Sequence, residues 1–251
     1  MHEIWFESAG TKLYAVERGA GRPVILLHGG LATHAIWSLY AGSLADRTRL
    51  VTPDLRGSGG SVFAGPLSWD ALADDVAALV RHLGLEQAVI GGASFGAGVA
   101  VRVALRHPRL VAALAILNPA YGGADLGLTA AQQAAMDAMD AAGSRAPAEG
   151  IEVLFPLLAA LPEAVRERAR RLFQTYDPAS VAASTAFMAS GAQPFARGEE
   201  LAAITAPALV VPGTDPQHPR EVADVLARHL PRCTVVETAD WGGAVARWLE
   251  A

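Results

Sequence analysis

Cysteine is nearly absent from this 251-residue sequence, which contains only Cys233. A single cysteine excludes an internal disulfide framework and is typical of a protein from a reducing compartment. Basic charge is also scarce, because 20 lysine and arginine residues stand against 25 aspartate and glutamate residues, for a net charge of -5. This balance provides no electrostatic surface for nucleic acid or an anionic membrane. The expected partner is therefore a small-molecule substrate.

Long hydrophobic runs are absent as well. The most apolar segment, residues 110–117, is far too short to cross a bilayer, and the N-terminus has neither the basic start nor the apolar run of a signal peptide. We therefore expect a cytoplasmic protein. Hydrophobic residues nevertheless make up 52% of the chain, enough to fill the core of one large α/β domain.

Apolar runs and amphipathic segments alternate along the chain. Continuous apolar runs are typical of strands that are buried on both faces of a parallel sheet. Such runs occupy residues 23–27, 50–52, 110–117, 207–211 and 233–237, with one more that begins at Val89. Helices are predicted at about 35–46, 69–83, 97–106, 220–229 and 242–250, and a short antiparallel strand pair within 3–18. This order predicts an α/β fold, with a mostly parallel sheet flanked by helices.

A serine between glycines follows the run that begins at Val89. Residues 92–96, Gly-Ala-Ser-Phe-Gly, fit the pattern G-x-S-x-G, in which small residues permit a tight strand-to-helix turn that exposes the serine hydroxyl. Ser94 is therefore the candidate nucleophile, although serine is also a common helix cap. His28 and Asn118 likewise follow predicted strands, at the sheet edge where ligands of parallel sheets bind. This convergence favours a catalytic role for Ser94.

Three motifs occur in a fixed order at the ends of the first three buried strands. They are His28-Gly29-Gly30, residues 54–59 (Asp-Leu-Arg-Gly-Ser-Gly) and the pattern around Ser94. With these motifs the chain resembles the α/β-hydrolase superfamily, in its serine esterase and lactonase branch, over essentially its full length. The resemblance implies an α/β-hydrolase fold with a helical cap inserted after the strand at 110–117. We expect a single domain, residues 1–251, with its core in 1–119 and 205–251 and the cap at about 120–204.

The resemblance also assigns the parts of a catalytic site. It implies that Ser94 is the nucleophile and that the backbone N–H of Phe95 is one oxyanion donor. Gly30 or Leu31 would supply the second N–H of this oxyanion hole, which stabilises the negative charge of a tetrahedral intermediate. Asp215, in the loop after the penultimate strand, occupies the position of the family's acid, which orients the base.

The histidine that serves as the base in this family is missing from its usual place. In the family it follows the last strand, whereas here no histidine occurs after His229. Asp240 is predicted to cap the final helix directly. Our hypothesis is that His218, three residues after Asp215, replaces the missing base. The alternative is that His218 and Pro219 only begin a helix.

Four further residues are candidates for lining the substrate pocket, namely His28, His34, Asn118 and Trp241. His28 is also expected to order its own loop. The sequence has no phosphate loop, dinucleotide fingerprint or metal-ligand cluster, so we expect neither a cofactor nor a metal.

The sequence therefore predicts a serine hydrolase. Its expected substrate is a small, mostly apolar carboxylic ester, thioester or lactone, cleaved through an acyl-enzyme on Ser94. Serine at this position argues against dehalogenase and epoxide hydrolase chemistry, for which the superfamily uses aspartate. The absent terminal histidine leaves two alternatives open. One is a non-hydrolytic lyase, isomerase or cyclase on the same scaffold, and the other is a catalytically inactive homologue that only binds a ligand.

Overall fold

Eight strands form one sheet in the computed structural model, which describes residues 1–251. Their order across the sheet is β1-β2-β4-β3-β5-β6-β7-β8. The strands are β1 (His2–Ser8), β2 (Thr11–Arg18), β3 (Arg22–Leu27), β4 (Thr48–Pro53), β5 (Ala88–Ser94), β6 (Val111–Pro119), β7 (Ala208–Val211) and β8 (Cys233–Val235). β2 pairs antiparallel with both β1 and β4, and all other pairings are parallel. The predicted α/β class with a mostly parallel sheet is confirmed.

Nine α-helices connect or flank these strands. They are α1 (Trp37–Tyr40), α2 (Trp69–His82), α3 (Phe95–Arg106), α4 (Ala130–Gly143), α5 (Ala146–Glu149), α6 (Glu163–Phe173), α7 (Pro178–Ala189), α8 (Arg220–His229) and α9 (Trp241–Glu250). Helices α4 to α7 all lie between β6 and β7, within residues 120–204, which we call the cap. No helix is long and apolar enough to cross a membrane.

The sheet is buried on both faces because each inner strand directs successive side chains to opposite sides. In β3, Ile25 and Leu27 join the largest hydrophobic cluster, whereas Val24 and Leu26 join a second, smaller hydrophobic cluster on the other face. This two-sided burial explains why the inner strands appear in the sequence as continuous apolar runs rather than as alternating patterns.

The single helix predicted over 35–46 is wrong. The segment instead contains the 3₁₀ turn His34–Ile36, the short helix α1 and a second 3₁₀ turn, Gly42–Asp46. Helical geometry ends at Ala41, whose φ of -145° and ψ of 22° lie outside the helical region. The break places Trp37, Ala41 and Leu44 together in the smaller hydrophobic cluster, so tertiary burial overrides the helical pattern.

The last strand is also shorter than predicted, because β8 ends at Val235 rather than at residue 237. Only a short connection then leads to α9, and the Asp240 side chain accepts a hydrogen bond from the Gly243 N–H at 2.9 Å. This confirms the predicted N-cap of the final helix.

Candidate active site

Ser94 stands at the tip of the turn between β5 and α3. Its φ of 54° and ψ of -116° are strained for a residue with a side chain. Close backbone packing maintains this conformation: a Cβ on Gly92 would overlap the carbonyl oxygen of Gly96, and one on Gly96 would overlap that of Leu27. The two glycines of the motif are therefore required by close approach of the backbone, as expected for a nucleophile elbow.

The structure brings Ser94, His218 and Asp215 together. His218 Nε2 lies 2.8 Å from Ser94 Oγ, and His218 Nδ1 lies 2.9 Å from both carboxylate oxygens of Asp215. The carboxylate selects the tautomer with the proton on Nδ1, which leaves Nε2 free to accept the Ser94 hydroxyl proton. The three side chains thus have the geometry of a serine nucleophile, its base and the acid that orients the base.

A tight turn explains how acid and base can share one loop. The His218 N–H donates to the Asp215 carbonyl at 3.0 Å, which closes a four-residue turn through Pro216. Asp215 Oδ1 also accepts the backbone N–H groups of Gln217 and His218, at 2.9 and 3.2 Å. The side chains of Asp215 and His218 are 49% and 14% exposed, so the acid faces solvent and the base faces Ser94.

The loop that begins with Gly29 runs beside the nucleophile. A Cβ on Gly29 would lie 3.3 Å from Ser94 Cβ, and the N–H groups of Gly30 and Leu31 have no hydrogen-bond acceptor in the chain. Phe95 is the first residue of α3, where an N–H has no intrahelical acceptor. The backbone of this loop is anchored by the Tyr176 hydroxyl, which donates to the Leu31 carbonyl at 2.9 Å.

A cavity of about 250 Å³ opens beside Ser94 and His218. Its wall is mostly apolar and includes Phe95, Ala120, Tyr121, Ala135, Met136, Met139 and Met188. The three methionines are all that the chain has apart from Met1, and they give the wall adaptable side chains. Tyr121 contributes a hydroxyl whose hydrogen-bond partner is the Met136 sulfur at 3.9 Å. Burial raises the pKa of Tyr121, so this hydroxyl remains a donor.

None of the four residues predicted to line the pocket lies on this wall. His28 is 1% exposed: its Nε2 accepts the Leu55 N–H at 3.0 Å, and its Nδ1 donates to the Gly29 carbonyl at 2.8 Å. Burial lowers the pKa of His28, which keeps the ring neutral. His34 faces Asp54 instead of Ser94, with 2.8 Å between Nδ1 and Oδ1.

The other two corrections have different physical causes. Asn118 follows β6 with a φ of 47°, and its side-chain oxygen approaches Gly213 rather than the cavity. Trp241 begins α9 and stacks on Tyr40 at a ring separation of 4.7 Å, with Trp37 6.4 Å away. Trp241 therefore packs against the smaller hydrophobic cluster and does not line the cavity beside the nucleophile.

The motif at 54–59 maintains the fold around the site. Asp54 accepts the backbone N–H groups of His34 and Gly60, at 2.7 and 2.8 Å. Burial acts to raise the pKa of Asp54, but the hydrogen bonds from His34 outweigh it and lower the pKa. Arg56 forms a buried bidentate ion pair with Asp75, in which Arg56 Nε donates to the Asp75 carboxylate at 2.8 Å. Both residues of the motif thus anchor loops.

Sequence reasoning missed three polar residues that line the cavity, Gln132, Gln217 and Tyr121. Gln132 lies three residues after the helix cap Thr129 and completes a capping box with it. The spacing Thr-x-x-Gln could have located the start of α4. It carries no signal for the additional contacts that the Gln132 amide makes with the site.

The alpha/beta hydrolase fold family model matches residues 22–245, so the chain belongs to this family. Its relatives include the 2-hydroxymuconate semialdehyde hydrolase of Pseudomonas sp. (strain CF600), which is 33% identical over 118 residues. That match covers 45% of this chain and 42% of the relative, and the chain spans less than half the length of this and other curated relatives.

Solved structures of similar shape cover the chain almost completely. A thermophilic esterase from Thermogutta terrifontis superposes with a TM-score of 0.79 at 25% identity, covering 100% of this chain and 98% of that one. The enol-lactonase from Burkholderia xenovorans LB400 superposes with a TM-score of 0.80 at 23% identity, covering 99% of this chain and 100% of that one. The predicted superfamily is confirmed.

Proposed function

We propose that the chain is a serine hydrolase that cleaves a small, mostly apolar carboxylic ester, thioester or lactone. The observation that carries the proposal is the 2.8 Å approach of His218 Nε2 to Ser94 Oγ, with Asp215 on the opposite ring nitrogen. A serine hydroxyl needs such a base to become an effective nucleophile. The names of the similar proteins, which include a hydrolase, an esterase and an enol-lactonase, agree with this class of reaction.

The proposed reaction begins when Ser94 Oγ attacks the substrate carbonyl and His218 Nε2 takes the hydroxyl proton. The N–H groups of Phe95 and of Gly30 or Leu31 stabilise the resulting oxyanion. His218 then protonates the departing alkoxide or thiolate, which leaves an acyl group on Ser94. Water attacks this ester, gives its proton to His218, and releases the acid as Ser94 Oγ takes the proton back.

The cavity sets the expected size and polarity of the substrate. Its volume of about 250 Å³ is below the range of about 300–1,000 Å³ that is usual for drug-sized ligands. The apolar wall favours short hydrocarbon groups, and the three methionines permit some variation in their shape. The two alternatives, a non-hydrolytic enzyme and an inactive binding protein, rested on a missing base. The contact between His218 and Ser94 supplies a candidate for it and favours hydrolysis.

The experiment that tests this function is turnover of p-nitrophenyl acetate, butyrate and octanoate by the parent, Ser94→Ala and His218→Ala. We expect the parent to prefer the two shorter esters and each variant to lose about 10⁴-fold or more in kcat. His107→Ala is the matched control, because His107 also pairs with a carboxylate, Asp74, at 2.7 Å, but lies at the opposite end of α3 from Ser94. An inert parent, or a His218→Ala variant with parental rates, contradicts the proposal.

A further inference from the structure

The loop that carries the acid and the base has few attachments to the rest of the molecule. Residues 214–217 are all exposed, and most of the hydrogen bonds of the turn are internal to it. One hydrogen bond reaches its backbone from a side chain of another element. Gln132, in the cap helix α4, donates from Nε2 to the Gln217 carbonyl at 3.0 Å. The residue held in this way directly precedes His218.

Gln132 is itself fixed at three points. Its Nε2 also donates to the Ala120 carbonyl at 2.7 Å, and its Oε1 accepts the Thr129 N–H at 3.0 Å. The residue is 1% exposed, so its amide has no competing contact with bulk water. A flipped amide would direct Oε1 toward two carbonyl oxygens, which excludes the other orientation. The side chain therefore links the end of β6, the start of α4 and the loop of the base.

We propose that Gln132 is the positioning residue for His218. This proposal rests on the proposed function. The Gln132 amide holds the Gln217 backbone in place and so keeps the His218 imidazole within hydrogen-bond reach of Ser94. A displacement of about 1 Å of a catalytic group can cost about 100-fold in rate. The contact also links the cap to the active site, because Gln132 can hold the loop of His218 in place only while α4 packs against the end of β6.

The first test compares Gln132→Met with Gln133→Met. Gln133 is the neighbour on the same helix, and its Nε2 donates to the Ala189 carbonyl at 3.2 Å and to Asp137, away from the loop. We expect Gln132→Met to lower kcat for p-nitrophenyl acetate about 100-fold and to slow labelling of Ser94 by a fluorophosphonate equally, with KM within about 3-fold. Gln133→Met should keep parental values. Parental kcat and labelling in a folded Gln132→Met variant overturn the proposal.

A second variant covers the case in which Gln132→Met does not fold. Gln132→Glu retains the acceptor for the Thr129 N–H, and so the capping box, but lacks the NH₂ group that holds Gln217. Its carboxylate faces two carbonyl oxygens, so the loop should be displaced while α4 remains capped. We expect a loss of kcat at least as large as that of Gln132→Met. A folded Gln132→Glu variant with the parental kcat would overturn the proposal.

Because Gln132 also borders the cavity, a role in binding substrate must be distinguished from positioning. The double variant Gln132→Met/His218→Ala makes this distinction, since a residue that acts only through His218 has no effect once the imidazole is gone. We expect its residual turnover and Ser94 labelling to match those of His218→Ala alone. A further 100-fold loss in the double variant contradicts positioning. If instead His218→Ala has the parental rate, the proposed function itself fails.

Discussion

The two halves of the candidate active site are built in opposite ways. Ser94 belongs to a turn in which backbone atoms are in close contact, with Gly92 and Gly96 packed so tightly that neither tolerates a Cβ. Asp215 and His218 belong to a solvent-facing loop, which owes its shape to one turn and to the contact with Gln132. Ser94 is thus fixed by the core of the fold, whereas His218 is held by the hydrogen bonds of one turn and of a side chain from the cap.

This difference agrees with the proposed function, in which the base comes from the loop after β7 and not from the segment after the last strand. Relocation of the base requires only that an imidazole reach Ser94 from a neighbouring strand end. β7 lies between β6 and β8 in the sheet, so its following loop meets the same edge as the nucleophile. An acid and a base in this loop can therefore both reach Ser94, as the proposed function requires.

Asp215→Asn alters the loop that carries the acid and the base, and its effect should be the largest after those of Ser94→Ala and His218→Ala. An asparagine amide turned toward His218 Nδ1 favours the tautomer with the proton on Nε2, which cannot accept the Ser94 proton. We expect kcat to fall about 10³-fold, somewhat less than for a buried acid because Asp215 is half exposed. Asp74→Asn, which alters the His107 pair, is the control for steady-state kinetics. Equal rates for both variants would remove Asp215 from the triad.

Gly96→Ala tests the turn that carries Ser94 and should destabilise the folded protein. The added methyl group meets the backbone carbonyls of Leu27 and His28, which cannot move independently of the sheet. We expect a loss of about 3 kcal/mol or more in the free energy of unfolding, measured by urea denaturation. Gly42→Ala is the matched control, because a Cβ on Gly42 would have no other atom within 4 Å. A fully stable Gly96→Ala protein would show that the elbow is not constrained by packing.

Gly213→Ala tests how strongly the loop of Asp215 and His218 depends on its own local packing. A Cβ here would overlap the His218 carbonyl and Cβ, so the histidine must shift. We expect kcat to fall about 100-fold, while the free energy of unfolding changes by less than about 1 kcal/mol because residues 214–217, which take up the shift, are exposed. Parallel kinetics and urea denaturation measure the two quantities. A large decrease in both the free energy of unfolding and kcat would mean that the loop, like the turn at Ser94, is fixed by the packing of the core.

The smallest effect concerns His28, the buried histidine beside the elbow. Burial lowers the pKa of His28 in the folded chain below the ordinary value of about 6.5. His28 is therefore protonated more readily in the unfolded chain than in the folded chain, so the free energy of unfolding decreases as pH falls below about 6.5. Between pH 6.5 and 5 this loss is at most about 2 kcal/mol.

His28→Gln retains a donor for the Gly29 carbonyl and an acceptor for the Leu55 N–H, but it cannot titrate. We expect its Tm to decrease less than that of the parent between pH 7 and pH 5. The pKa of Asp54 is lowered, so its effect on stability belongs to pH values below about 4 and lies outside this window. Identical decreases in parent and variant would show that His28 titrates normally.

Elements whose structure depends on local pattern could be predicted from the sequence. The buried strands, the elbow and the helix over Arg220–His229 were predicted because apolar runs, glycines and periodicity specify them locally. The break at Ala41 could not be predicted, since it depends on which side chains find space beneath the sheet. The pocket was harder still, because Gln132 reaches it from α4, a helix that is brought to Ser94 only by the docking of the cap.

The most direct test of the central claim, that the base comes from the loop after β7, is the rate at which a fluorophosphonate labels Ser94. This reaction requires an activated serine but no knowledge of the natural substrate. We expect rapid labelling of the parent and of His107→Ala, and labelling slowed by several orders of magnitude in His218→Ala. Parental labelling of His218→Ala at Ser94 would contradict the central claim.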